Sequence, residues 1–203
     1  MNALARATKR GFDLAASTFG LVVAAPVLAA AAIAIKLEDG GPVLYRQERI
    51  GRDGRSFRIL KLRSMVVDAE HAGAGLAVNV GDSRITRVGG FLRRTSLDEL
   101  PQLVNILRGD MSVVGPRPTL HYQVEQYDDV QLRRLDVRPG VTGWAQIHGR
   151  ASLPWEERIR LDVWYVEHAS LRLDLRILMR TPRTLLRRDA LYKGDGGGWT
   201  GAS

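Results

Sequence analysis

Cysteine is absent from the 203 residues. That excludes a disulfide scaffold, a thiolate nucleophile and any Cys-based zinc or iron–sulfur centre, and leaves His and carboxylates as the only side chains that could hold a metal. Aromatic residues make up only 6% of the chain, against 45% apolar residues overall, which is enough for one domain with its own core. Acids are missing from residues 1–10, which contain Arg6, Lys9 and Arg10, and are outnumbered from Ser170 to Lys193, where Arg172, Arg176, Arg180, Arg183, Arg187, Arg188 and Lys193 face Asp174 and Asp189. These two ends, at +3 and +5, account for the whole net charge of +8. Such an excess implies an anionic partner: nucleic acid, phospholipid headgroups or a phosphorylated substrate. A nucleic-acid binder would carry its basic stripe on the folded module, and no finger, RNP or helix-turn-helix signature is present, so no nucleic acid is expected.

The N-terminal charge flanks Leu14–Ile35, a run without a charged residue that is long enough to cross a bilayer. It can be read as a signal peptide, a spanning helix or a segment that enters the membrane and returns. A signal core is usually shorter, at ~7–15 residues. A spanning helix favours Lys and Arg on one side, yet basic residues flank this run on both sides, with Lys36, Arg46, Arg49 and others following it. Pro26 stands near the middle, where its missing amide and its ring against the Val22 carbonyl predict a bend. A re-entrant helix–break–helix over residues 1–39 fits the symmetric charge best, and a spanning helix with a tolerated proline is the alternative.

After the Gly40-Gly41-Pro42 breaker, Val43–Ile50 and Arg55–Arg63 flank a Gly51–Gly54 turn, and the alternation of Phe57, Arg58 and Ile59 predicts a short amphipathic hairpin. His71–Asp82 reads as a loop, and residues 194–203 as a disordered tail beyond a catalytic domain of residues 40–193. The leucines and arginines from Ser170 onward suit an anionic membrane surface, or equally a helix packing Leu171, Leu175 and Leu178 on the core.

The chemistry centres on Arg93-Arg94-Thr95-Ser96-Leu97-Asp98-Glu99-Leu100-Pro101-Gln102-Leu103. Leu100, Leu103, Val104 and Leu107 fall at helical spacing. Ser96 and Glu99 have the form of a capping box, but Pro101 favours a register with Asp98 at the N-cap and the proline harmlessly in the first turn. Adjacent carboxylates at a helix start suit a hard cation such as Mg2+, and the neighbouring arginines suit phosphate oxygens, a combination used in phosphoryl transfer. Gly115-Pro116-Arg117-Pro118, Arg138-Pro139-Gly140 and Gly149-Arg150 repeat an arginine in a braced loop, an arrangement fit for a diphosphate. Asp162 reads as a further metal or arginine partner, or as a helix-surface salt bridge.

Together Lys9-Arg10-x-Phe12-Asp13, Gly41-Pro42-Val43 with Arg46-Gln47, Phe57–Lys61 with Arg63-Ser64-Met65, Thr95–Leu103, Gly109-Asp110-Met111-Ser112, Val114–Pro118 and Arg138–Trp144 resemble the bacterial sugar transferase family, the monotopic polyprenyl-phosphate phosphoglycosyl transferases, from about Lys9 to Thr181. The chain looks like the minimal catalytic form. The resemblance implies transfer of a sugar phosphate from a UDP-sugar to a membrane polyprenyl (undecaprenyl) phosphate with release of UMP, at the cytoplasmic face of the bacterial inner membrane. It opens a glycoconjugate or exopolysaccharide pathway.

By the same resemblance, Asp98 is the nucleophile that forms a phosphosugar–aspartate intermediate, and Glu99, with Asp98, holds Mg2+. Lys61, Arg93 and Asp162 match further active-site positions. Arg117, Pro118, Arg138, Pro139 and Arg150 match the loops that hold the nucleotide sugar. Pro26 matches the membrane bend, and Lys9 and Arg10 the phospholipid headgroup contacts. One departure is Ala25, where several members carry Ser. The implied fold is mainly helical with a small antiparallel hairpin (α+β). A homodimer is left open, and neither the sugar nor the polyprenol can be read.

Overall fold

A computed structural model of the chain describes residues 3–71, 81–149 and 152–186. The apolar run forms one long helix, α1 (Ala3–Asp39). The predicted hairpin follows as β1 (Leu44–Ile50) and β2 (Ser56–Leu62), antiparallel, with Tyr45 opposite Lys61 and Gln47 opposite Ile59. Its turn needs Asp53 (φ 56°) and Gly54 (φ 73°) in the left-handed region, which Asp tolerates and Gly prefers.

Next come α2 (Arg87–Thr95), a 3₁₀ turn at Leu97–Glu99, α3 (Gln102–Arg108) and β3 (Ser112–Val114). The short helices α4 (His121–Val124) and α5 (Asp129–Leu132) precede β4 (Gly140–Thr142), which is followed by α6 (Trp144–Ile147), α7 (Trp155–His168) and α8 (Leu171–Leu186). The architecture is mostly helical with a small antiparallel sheet, as expected, plus one unforeseen parallel pair between β3 and β4.

The helix–break–helix expected for the apolar run is a single helical element, with Pro26 inside it. Pro26 has no amide to donate to the Val22 carbonyl, a local loss that does not end the helix.

Two separate stretches of α1 lie on the rest of the chain. Near its start, Asp13 is fully buried, accepting from the Ser112 hydroxyl and the Val113 amide, both at 3.0 Å. Gly20 sits against α3, where a β-carbon would come within 3.1 Å of Leu103. Farther on, Ala31 and Ile35 join Leu62 of β2 and Leu92 of α2 in one apolar cluster. The outward face of α1 exposes Phe19 (72%), Val22 (70%), Val23 and Ile33. Met179 of α8 is likewise exposed, although α8 buries Leu173 and Ile177 against Val114 and Tyr165. The expected tail at 194–203 and the remaining basic residues from Arg187 onward lie outside the described residues.

Candidate active site

The route into the site begins at Gly89. A β-carbon there would stand 2.0 Å from the Ser64 carbonyl oxygen, so only glycine lets α2 lie directly on the chain leaving β2. One turn later Arg93 projects from the same face, with Nη1 3.5 Å from Ser64 Oγ. α2 ends at Ser96, which adopts φ 56° and donates its amide to the carbonyls of Leu92 and Arg93. The left-handed residue turns the chain into the 3₁₀ turn that carries Asp98 and Glu99.

This corrects the expected register. Asp98 is not the N-cap of α3; Pro101 (φ −61°) holds that position, and the acids precede the helix. Nor does the Ser96 side chain make a capping bond. The reversal at Ser96 has already diverted the backbone, and helix α3 starts only where the proline's fixed φ presets it.

Lys61 of β2, Arg93, Asp98, Glu99, Arg117 and Pro118 line a common cavity of about 600 Å3. The two neighbouring acids differ sharply. Glu99 Oε1 accepts from Lys61 Nζ at 2.9 Å and from Arg117 Nη2 at 2.7 Å. Burial by itself would raise the Glu99 pKa, but Arg117 and Lys61 outweigh it and hold the carboxyl well below the usual carboxylate range. Asp98 is 8% exposed, and among the described residues no donor is hydrogen-bonded to its carboxylate. Burial, reinforced by the charge of Glu99, pushes its pKa up to about 6, against the pull of Lys61, Arg93 and Arg117.

Asp162 also lines this cavity, but its Oδ2 is 2.6 Å from Nη2 of the buried Arg134. Burial pushes the Asp162 pKa up to about 6 despite that cation. Arg134 also donates to the Tyr127 hydroxyl (2.5 Å) and the Arg117 carbonyl (3.0 Å), so Asp162 bears on the site by fixing the Arg117 loop. Arg49 and Arg158 line the same cavity and escaped the sequence reading, as did Arg134. Burial, and then the nearby Arg117 charge, lowers the Arg49 pKa to about 10. A signal for Arg49 existed: Tyr45, Gln47 and Arg49 share the parity of the hairpin face that carries Lys61. Arg134, on a 3₁₀ turn, and Arg158, on α7, had none, because they reach the cavity from elements distant in sequence.

Other expected residues sit elsewhere. Arg138 and Pro139 are not among the cavity-lining residues, and Arg138 Nε donates to the Gly109 carbonyl at 2.8 Å. The two Gly/Pro loops brace each other: a β-carbon at Gly140 would stand 2.1 Å from the Gly115 nitrogen, and one at Gly143 would stand 2.2 Å from the Gly115 oxygen. Lys9 and Arg10, expected at lipid headgroups, have protein partners. Lys9 Nζ meets Asp174 Oδ2 (2.6 Å) and the Val114 carbonyl, and Arg10 meets the last carbonyls of α3 at Ile106 (2.6 Å) and Leu107 (3.0 Å). Helix C-termini leave such carbonyls unpaired, which explains the choice of a cation. Arg150 lies outside the described residues.

Comparison with known proteins fits this geometry. A family model described as "Bacterial sugar transferase" matches residues 4–188. The chain is 43% identical over 185 residues to the uncharacterized sugar transferase EpsL of Bacillus subtilis, covering 91% of this chain and 90% of that protein. It is 44% identical to the UDP-N-acetylgalactosamine-undecaprenyl-phosphate N-acetylgalactosaminephosphotransferase of Aeromonas hydrophila, covering 88% of this chain but 43% of that protein. Against the UDP-glucose:undecaprenyl-phosphate glucose-1-phosphate transferase of Escherichia coli the identity is 42%, over 87% of this chain and 39% of the relative. The chain thus spans nearly all of one relative and about two fifths of the others. A buried acid beside an ion-paired one in a cation-lined cavity, on a domain that also carries a long apolar helix, is here the architecture of a chain that belongs to the bacterial sugar transferase family.

Proposed function

We propose that this chain transfers a sugar phosphate from a UDP-sugar to a polyprenyl phosphate, in two steps on Asp98. The carboxylate of Asp98 attacks the β-phosphorus of the donor, and the bridging oxygen–β-phosphorus bond breaks so that UMP departs with the bridging oxygen. A phosphate oxygen of the polyprenyl phosphate then attacks the same phosphorus, the aspartate–phosphorus bond breaks and the carboxylate is regenerated. The observation that carries this reading is the contrast at the 3₁₀ turn: Glu99 is tied to Lys61 and Arg117, while the buried Asp98 carboxylate has no donor bonded to it among the described residues and lines the same cationic cavity. A desolvated carboxylate with unoccupied lone pairs is a poised nucleophile, and Lys61, Arg93 and Arg117 offset the repulsion between it and a diphosphate.

Asp98 and Glu99 suit Mg2+, which takes hard oxygens from one or two carboxylates together with substrate phosphates. Bound there, the ion would neutralise charge on the transferring phosphoryl group. Arg117 binds and orients at the cavity wall, and Arg134 with Asp162 keeps its loop in place.

Both ends of α1 are bonded to the catalytic domain, through Lys9, Arg10 and Asp13 at one end and through Glu38 and Asp39 at the other. A helix crossing a bilayer would carry one end to the opposite side from that domain. The exposed apolar middle therefore favours a segment embedded from one face, among phospholipids, with the domain in the cytoplasm.

Purified protein in detergent with undecaprenyl phosphate and Mg2+, screened across UDP-sugars for UMP release, tests the reaction. UMP release with at least one donor, lost in Asp98→Asn, is the expected result. Turnover that survives Asp98→Asn overturns the role of Asp98, and a membrane scaffold would be indifferent to that change.

A further inference from the structure

A second cavity of about 220 Å3 adjoins the first, lined mainly by Leu97, Leu100, Leu103, Val141, Ile147 and Thr181. Ser96, Glu99 and Gln146 line both cavities. The first is rich in cations, whereas among the described residues the second contains, apart from the shared Glu99, no charged side chain. The two are thus contiguous and meet at the turn that bears the acids.

The wall formed by residues 97–103 is also the surface on which α1 rests. Gly20 packs against Leu103, and Leu28 and Ala31 belong to the cluster that contains Leu97. Between those contacts Val22, Val23 and Val27 are exposed. The small cavity and this exposed apolar stretch of α1 are thus joined by the wall of residues 97–103. The cavity's remaining wall comes from Val141, Thr142, Gln146 and Ile147 and from Thr181 and Thr184 of α8, with the Thr181 hydroxyl bonded to that of Thr142 at 2.8 Å. The Thr181 hydroxyl also donates to the Ile177 carbonyl at 2.8 Å, so both hydroxyl protons have protein acceptors and neither requires water in the cavity.

We infer that this cavity receives the first isoprene units of the polyprenyl phosphate acceptor, with the phosphate directed past Glu99 into the cationic cavity. The inference rests on the proposed transfer reaction. A nucleoside or sugar would find few hydrogen-bonding groups here, whereas a branched hydrocarbon fits an apolar wall and gains free energy from every CH₂ removed from water. The juxtaposition also answers a geometric requirement, because a lipid tail must lie beside α1 while its phosphate reaches Asp98.

The test is photo-crosslinking of the wild-type chain in nanodiscs, using a polyprenyl phosphate that carries a diazirine on its first isoprene unit, followed by peptide mapping. Labelling within residues 95–103, 141–147 or 181–184 that unlabelled polyprenyl phosphate competes away is expected. Labelling confined to other residues, or equal labelling of these segments by a phospholipid acyl-chain diazirine that polyprenyl phosphate does not displace, overturns the inference.

A kinetic arm uses Thr184→Phe, which fills the cavity from the end of α8. The KM for polyprenyl phosphate is expected to rise at least tenfold with the KM for the UDP-sugar unchanged. An unchanged acceptor KM in Thr184→Phe also overturns the inference. Absence of transfer to any polyprenyl phosphate by the wild-type chain would instead be a failure of the underlying reaction, so the two outcomes are distinguishable.

Discussion

Lys9 Nζ and Asp174 Oδ2 stand 2.6 Å apart, joining the first and last helices through an ion pair whose acid is completely buried. The Tyr165 hydroxyl donates to the other oxygen of Asp174 at 2.7 Å, so the carboxylate has a partner for each oxygen. Removing either partner of a buried pair leaves an uncompensated charge. Lys9→Ala should therefore destabilise the chain by about 3 kcal/mol, whereas the double change Lys9→Met with Asp174→Leu should cost much less. Thermal unfolding in detergent reads both, and a Lys9→Ala midpoint within a degree of wild type would contradict the clamp.

The Asp98 carboxyl titrates near 6 because burial and Glu99 disfavour its charge. A nucleophile must be ionised, so turnover should fall tenfold per unit as pH drops below about 6. For stability the sign is opposite. A pKa raised above its unfolded value of 3.8 contributes stability that is present below 3.8 and is lost as pH rises through about 6. Asp98→Asn should accordingly abolish transfer yet raise the unfolding free energy at pH 8 by on the order of 3 kcal/mol, seen as a higher melting temperature, with little change at pH 4. Equal melting temperatures at pH 8 would show that the carboxylate is not desolvated.

Arg93 pulls the Asp98 pKa downward from the end of α2. Replacing it with Gln removes that pull, so the acid limb of the pH–rate profile should move above its wild-type position while the maximum rate falls roughly 10- to 100-fold. A lower rate with an unmoved limb would assign Arg93 to substrate binding alone.

Two glycines predict opposite outcomes. A β-carbon at Gly140 meets backbone at 2.1 Å, whereas one at Gly11 in α1 meets nothing within 4 Å. Gly140→Ala should cost more than about 3 kcal/mol, because backbone cannot swing aside as a side chain does. Gly11→Ala should be neutral or stabilise by up to about 1 kcal/mol, since alanine is the better helix former. Circular dichroism during heating separates the two.

Because the chain has no cysteine, single cysteines report topology cleanly. Cysteines at Ala3 and at Arg55, on the hairpin turn, should both resist a membrane-impermeant maleimide applied outside intact cells and both react after lysis. Labelling of the Ala3 position alone from outside would mean that α1 crosses the bilayer.

Local chemistry made the apolar helical run, the hairpin and the acid pair readable from the sequence alone, but not that the run continues as one helix through Pro26. An uncharged run, a period-two alternation around a Gly/Asp turn, and adjacent acids before a helical leucine pattern are each written within a few neighbouring residues. Whether an arginine serves the cavity or the frame was decided only by packing at long sequence separation. Arg117 reaches Glu99, while Arg138, in an equally braced loop, ends on the Gly109 carbonyl because Gly115, Gly140 and Gly143 press the two loops together. Lys9 and Arg10 read as surface cations until folding brought Asp174 and the end of α3 within reach. Charge and periodicity fix what a segment can do, but a cation pairs with whichever acceptor the fold leaves unsatisfied, and that acceptor can lie a hundred residues away.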